Sequence, residues 1–464
     1  MKKAFLFLIT TLLTVGLQAQ EGGISADMLS KIKAGHLNTA ADKALHNAIV
    51  TYDINKLAIN AGNSTSFDAH FSNQVKSKAV TDQKSSGRCW MFTGMNVMRS
   101  KTIAQFDLPS DFQFSQAYTF FWDQLEKSNL FLQAILDNRA KSMDDKTVEW
   151  LFKNPIGDGG QFTGVADLVS KYGIVPKDVM PETFSSNNTS RMSNILSLKL
   201  REFGLELREM SNNKGTTEAM LQNRKIEMLQ TIYHILCLTI GEPPVEFTWT
   251  ERNAAGKAVS TETYTPQSFF KKYVNADFNK YYMLMNDPTR EYYKVYEIEY
   301  DRHVYDGKNW VYLNLPMEDI APIAIASIKD STMMYFSCDV GKFLNRDIGL
   351  LDINNYDYES LFGTTFNMNK KQRIATFASG SSPAMTLCAV DLDEKGLPVK
   401  WMVENSWGSS YGHNGFIIMT NEWFNEYMFR VVVEEKYIPA KILKMTRQEP
   451  IMLPPWDPMF APEE

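Results

Sequence analysis

Apolar residues keep mainly helical spacing from 76 to 190, whereas after about residue 310 they come in short runs that read as strands. Those runs are WVYLNLP, IAPIAIASI, TMMYFSCDV, AMTLCAV, VKWMVENSW and GFIIMTNEW. Helices first and strands later suggest an α+β protein with two halves. Between the halves, residues 191–240 carry two polar, helix-prone segments, followed by Pro243-Pro244 and two alternating strands, VEFTWT and KAVSTETY. Residues 20–75 mix helical patterning with polar stretches and read as an N-terminal extension. A chain of 464 residues can bury the cores that this organisation needs. It has no internal repeat and no low-complexity tract.

The first twenty residues, MKKAFLFLITTLLTVGLQAQ, have a separate task. Lys2 and Lys3 precede an apolar run, and Leu17-Gln18-Ala19 offers a small-residue cleavage site. Residues 1–19 are therefore expected to be a cleaved signal peptide, too short for a comfortable membrane span. Export to a periplasmic or extracellular space follows. Losing both lysines takes the net charge from −6 to −8, which argues against a nucleic-acid partner. Export also permits disulfides, yet the four cysteines, Cys89, Cys237, Cys338 and Cys388, are widely spaced and form no CxxC. Neither a disulfide framework nor a zinc site is expected, and no cofactor or metal is called for. Cys237, Cys338 and Cys388 sit in apolar runs and read as small buried thiols.

Cys89 differs. In DQKSSGRCWMFTGMNVM (82–98), small residues and a glycine lead to the cysteine, and Met91, Met95 and Met98 then keep helical spacing. A thiol opening a helix meets the positive end of the macrodipole, which favours the nucleophilic thiolate. Gln83 can return over the turn, so that its amide and the Cys89 backbone N–H would form an oxyanion hole. A buried structural thiol at a helix start is the plainer alternative. A second stretch, VENSWGSSYGHNGFII (403–418), has a strand that delivers Asn405 to a turn, followed by Trp407 and a glycine-rich hairpin. Asn405 can orient an imidazole, and Trp407 can shield that bond from water. Taken alone, a glycine-rich hairpin with an Asn turn would also explain it.

Together these stretches resemble the papain-like cysteine peptidases. The branch that the chain is most similar to is that of bleomycin hydrolase and bacterial aminopeptidase C. The resemblance rests on SSGRCWMFTGMN (85–96), NPIGDGGQF (154–162), KYGIVP (171–176), GEPPVEFTW (241–249), FSCDVGK (336–342), VENSWG (403–408), EEKYIP (434–439) and QEPIMLPPWDPM (448–459). It implies a two-lobed papain-like fold. Residues 76–190 would form the helical lobe with Cys89, and 191–300 an insertion with the first strands. Residues 301–450 would form the β-rich lobe with Asn405, and 451–464 a C-terminal arm lying in the cleft. It further implies a glycine pair on the cleft wall, Gly159-Gly160, against which a substrate backbone can lie. Trp407 would also contact substrate, whereas the tail Phe460-Ala461-Pro462-Glu463-Glu464 departs from the family, and its acidic end, Glu464 included, would contact substrate by attracting a free α-amino group. A homohexamer acting on peptides with a free N-terminus completes the set of expectations.

One position departs from the pattern. The resemblance places the general-base histidine in a His-Ala-Met turn that opens the strand before the Asn hairpin. Here the turn reads Ser382-Pro383-Ala384-Met385, and Pro383 stands in the histidine's place. His413 lies beyond Asn405 in the hairpin, and His36, His46, His70, His234 and His303 fall outside every matching motif. A proline ring can neither accept the thiol proton nor protonate the leaving amine. Three readings stay open: a peptide-binding homologue with impaired catalysis, an active aminopeptidase using another base, and a noncatalytic subunit of a mixed assembly.

Overall fold

The computed structural model describes residues 22–36, 38–63, 68–76, 79–381 and 383–459. Residues 1–19, expected to be a signal peptide, Ser382 and the last five residues, Glu464 among them, lie outside that range.

Two compact units divide the chain. The smaller contains the helices Ala26–Ala34, Ala40–Ile49, Ile54–Ala58 and Tyr358–Phe362. The first three are capped by Ser25, Thr39 and Asp53, whose side chains accept the backbone N–H of Met28, Asp42 and Lys56 respectively. Asp357 N–H to the Ala58 carbonyl (2.7 Å) and Tyr358 Oη to Asn55 Oδ1 (2.6 Å) tie its pieces together. Residues 60–75, expected within the extension, belong instead to the larger unit, where Asn73–Gln74 pairs with Val390 and Ala389.

In the larger unit the Cys89–Phe106 helix is enclosed: Cys89 through Arg99 are all buried. A helix apolar on nearly every side belongs in a core. The helices Gln116–Asp137 and Phe162–Tyr172 pack on it and on each other. Gly94 permits the second contact, since a Cβ there would stand 2.8 Å from Val165 Cγ2. The two polar segments form the helices Ser190–Asn212 and Glu218–Thr239. Met192, Leu196, Leu200, Phe203 and Leu207 make a stripe of i, i+3 and i+4 spacing on the first, buried toward Gln116–Asp137. The expected strands VEFTWT and KAVSTETY form a hairpin, Phe247–Arg252 against Ala258–Tyr264.

The β half is one mixed sheet of twelve described strands. Its centre runs Tyr281–Met285, Met428–Glu434, Met334–Cys338, Ala384–Leu392, Pro398–Glu404 and Phe416–Thr420. Ala384–Leu392 and Pro398–Glu404 are antiparallel with Thr386 opposite Glu404, so the start of the first strand meets the end of the second. That register sets Pro383 and Asn405 at one edge of the sheet. Two apolar clusters form, one around Trp90, Phe120 and Phe121, the other around Leu387, Trp401 and Trp423. Each fully buried side chain of this size contributes about 1.5–3 kcal/mol.

One expected strand is wrong. IAPIAIASI lies in a helix, Met317–Lys329. Glu318 and Asp319 in its first turn complement the helix dipole, and Ile320, Ile323, Ala324, Ser327 and Ile328 face the core at helical spacing. Pro322 lies inside the helix and removes one backbone donor without ending it. Cys237 is also less enclosed than expected, being half-buried, whereas Cys338 and Cys388 are buried, with burial raising both thiols well above their ordinary pKa.

Candidate active site

Cys89 is the first residue of its helix, and a cavity of about 560 Å³ opens beside it. The turn before it is held from below. Arg88, fully buried, pairs with Glu182 (2.9 Å) and lies over the rings of Phe92 and Phe120. The Gly87 N–H donates to Asp158 Oδ2 at 2.6 Å, and a Cβ on Gly87 would stand 2.4 Å from that carboxylate. Only glycine fits there.

Residues 81–83 lie along 406–408. Gln83 N–H donates to the Ser406 carbonyl (2.8 Å) and Gly408 N–H to the Thr81 carbonyl (3.1 Å). Gln83 is thereby fixed beside the Asn405 turn. Its Oε1 accepts from Ser406 Oγ (2.6 Å), and its amide nitrogen donates to the Ser86 carbonyl (2.5 Å). An amide nitrogen carries two hydrogens, so one N–H remains beyond the Ser86 bond.

Across from Cys89 stands the start of Ala384–Leu392. The Ala384 N–H points at Cys89 Sγ, with nitrogen and sulfur 3.4 Å apart. Pro383 is the residue immediately before that contact. Asn405 is buried; its Oδ1 accepts the Trp407 N–H (2.7 Å), while its Nδ2 has no hydrogen-bond partner among the described residues. An amide nitrogen left bare in a core costs about 1–3 kcal/mol. Trp407 is half-buried and meets Tyr411 edge-on at 5.6 Å. His413 is exposed in the hairpin, as expected, with its backbone paired to Phe416.

The glycine pair lines the same cavity. Gly159 is exposed, with nothing near its missing Cβ, and Gly160 backs onto Trp90 and His303. His303 also lines the cavity, a residue that sequence reasoning set aside because no motif surrounds it. Its Nδ1 lies 2.5 Å from Asp123 Oδ1, and the Gln161 N–H faces its Nε2 at 3.4 Å. Both ring nitrogens thus point to partners other than the thiol. Burial, reinforced by Lys127, holds this imidazole below its ordinary pKa despite the opposing pull of Asp123. Asp301, on the same wall, has its carboxyl pushed up to about 6 by burial, against the opposing pull of Arg430 and Lys127.

Pro455 and Met459 of the C-terminal segment line the cavity as well. Ile451–Leu453 runs parallel to Val295–Ile298, Asp457 pairs with Arg290, and Met459 is 1% exposed. Glu464 falls outside the described residues. Among those residues, no cluster of His, Cys, Asp and Glu could hold a metal ion, and no helix is long and apolar enough to cross a membrane.

Comparison with known proteins agrees with this geometry. Residues 23–460 match the model of the Peptidase C1-like family. The chain is 41% identical over 393 residues to bleomycin hydrolase of Rattus norvegicus, covering 83% of this chain and 86% of that protein. It is 38% identical over 421 residues to aminopeptidase C of Lactobacillus delbrueckii subsp. lactis, covering 89% and 93%. The crystal structure of PepW from Lactobacillus rhamnosis HN001 superposes with a TM-score of 0.91 at 37% identity, over 95% of this chain and 99% of that one. The expected papain-like fold therefore stands, and the chain belongs to the Peptidase C1-like family of thiol peptidases, with bleomycin hydrolase and aminopeptidase C as its relatives.

Proposed function

We propose that this protein is an exported, peptide-binding member of its family in which hydrolysis is impaired because Pro383 occupies the general-base position. The observation that carries the reading is the Ala384 N–H on the Cys89 sulfur. It puts the residue before Ala384 at the thiol, and that residue is a proline.

In the reading proposed here, Cys89 keeps the helix terminus as its source of thiolate. A proline at the base position leaves the amine without an acid there to protonate it on leaving. The Cys89 N–H and the second N–H of Gln83 remain as donors for a carbonyl oxygen. Gly159 and Gly160 receive the peptide backbone, Trp407 borders the site, and the arm closes the cleft beyond the peptide N-terminus. Assembly as a homohexamer is carried over from the resemblance. Turnover of an aminoacyl fluorophore that Cys89→Ala abolishes would favour an active aminopeptidase with another base, and copurification with a His-bearing paralogue a noncatalytic subunit of a mixed assembly.

A labelled peptide with a free α-amino group should bind the protein lacking residues 1–19, and its N-acetylated counterpart should bind at least ~10-fold more weakly. Deleting residues 460–464 should bring the two affinities together. Equal affinities before deletion would remove the role given to the arm.

A further inference from the structure

The cleft wall that carries Gly159-Gly160 is wired to the helices behind it by an unusual density of side-chain donors. Gln124 Nε2 and Lys127 Nζ both donate to the Gly157 carbonyl at 3.0 Å, and Lys127 also donates to the Gly159 carbonyl at 2.6 Å. Trp90 Nε1 donates to the Asp158 carbonyl at 2.7 Å. The N–H and carbonyl of Gly160 have no partner among the described residues. They are the groups that an extended peptide would use for strand-like pairing.

What stands behind Gly160 is His303. A Cβ on Gly160 would lie 2.2 Å from the imidazole Cε1, and one on Gly164 would lie 2.6 Å from three ring atoms. The ring is wedged between these two glycines and the indole of Trp90, whose centroid is 4.5 Å away. Asp123 Oδ1 meets Nδ1 at 2.5 Å, and the Gln161 N–H approaches Nε2 at 3.4 Å. An ionised Asp123 has its countercharge in Lys127, 3.0 Å away, so the imidazole is not required to carry one. Neutral, with its proton on Nδ1, the ring donates to Asp123 and accepts from Gln161. Protonated, it would turn an N–H toward the Gln161 N–H.

We propose that His303, braced by Asp123, is a positioning residue that sets the Gly159–Gln161 wall at the height a bound peptide backbone requires. The inference rests on the peptide-binding reading of the cleft. His303 acts through the wall, since its two ring nitrogens are turned to Asp123 and the Gln161 N–H. The charged groups facing the ring are Asp123 and Lys127 from Gln116–Asp137 and Asp167 from Phe162–Tyr172, with Asp301 and Arg302 beside it in its own segment. Its ordinary pKa of 6.5 is lowered in the fold, so the neutral post is complete above pH 6.5 and is lost as acid titrates it below that value.

The test measures peptide affinity from pH 5 to 8 for the wild type, His303→Ala and His303→Gln, alongside ¹⁵N-imidazole NMR of the wild type. His303→Ala should weaken binding at least ~10-fold at pH 7.5, the scale expected when a supporting group is displaced. Gln fills much of the space with an amide that cannot protonate; it should recover most of the affinity and flatten the acid-side fall. The NMR should find His303 still neutral, with the proton on Nδ1, at pH 6.5. Wild-type affinity in a folded His303→Ala protein would overturn the proposal, and so would an unchanged acid-side fall in His303→Gln. If the wild type binds no peptide at any pH, the reading of the cleft fails. The NMR then decides the post separately, and an Nε2–H tautomer or an ordinary titration would overturn it.

Discussion

The two sides of the Cys89 cleft have been treated differently. On the helical side, each carbonyl from Gly157 to Gly159 meets a side-chain donor, and His303 fills the space behind Gly160. On the β side, Pro383 stands in the turn and Asn405 Nδ2 is buried without a partner among the described residues. Bare buried side-chain atoms occur on both sides, Gln124 Oε1 and Gln161 Oε1 on the helical one, so the contrast lies in the wall's braced carbonyls against the proline in the turn. In the function proposed above, this contrast separates holding a peptide from cutting it.

The largest effect should come from repairing the β side. Pro383→His should raise aminopeptidase turnover at least ~10²-fold, the lower end of what a positioned general base supplies, and the gain should vanish with Cys89→Ala. Pro383 directly precedes a strand, so the backbone N–H that histidine adds opens no ladder gap. A folded Pro383→His protein without activity would mean that the β side has lost more than its base.

Damage to the helical side should come next. Gly160→Val puts branched carbon where His303 Cε1 and Trp90 already stand within 2.2 and 2.8 Å. Overpacking of this kind costs about 1–3 kcal/mol. Peptide affinity should fall with it, and calorimetric unfolding together with binding would record both losses. Wild-type stability and affinity in this variant would show that the wall is softer than its contacts imply.

The smallest effect concerns pH. Because the Asp301 carboxyl titrates at about 6 in the fold and at the ordinary 3.8 when unfolded, the folded chain binds its proton more tightly. Its contribution to stability therefore rises as pH falls from about 6 toward 4, opposite in sign to that of His303. Asp301→Asn should raise the unfolding temperature at pH 8 and remove that acid-side gain. A lower unfolding temperature at pH 8 would mean that the ionised carboxylate is a favourable partner of Arg430.

How much of this was legible depended on distance along the chain. The Cys89 helix start and the Asn405 hairpin announce themselves within about a dozen residues each, so their geometry could be anticipated. His303 could not be, because its partner Asp123 is 180 positions away and its packing depends on two glycines in a third segment. The unusual signal was present only as glycines at 160 and 164, whose shared neighbour no local pattern names. The helix Met317–Lys329 was misread for a different reason. IAPIAIASI is apolar enough to suit either period, and its isoleucines favour a strand. Glu318 and Asp319 just after Pro316 were the available clue to a helix start.

In the proposed function the cleft holds peptides and does not cut them efficiently. The most direct measurement follows one free-amine peptide with the wild-type protein lacking residues 1–19, recording occupancy and free N-terminal residue in the same sample. The account predicts saturable binding, with release of the N-terminal residue no faster than in Cys89→Ala. Rapid release by the wild type that disappears in Cys89→Ala would contradict it, since a second base would then be serving Cys89.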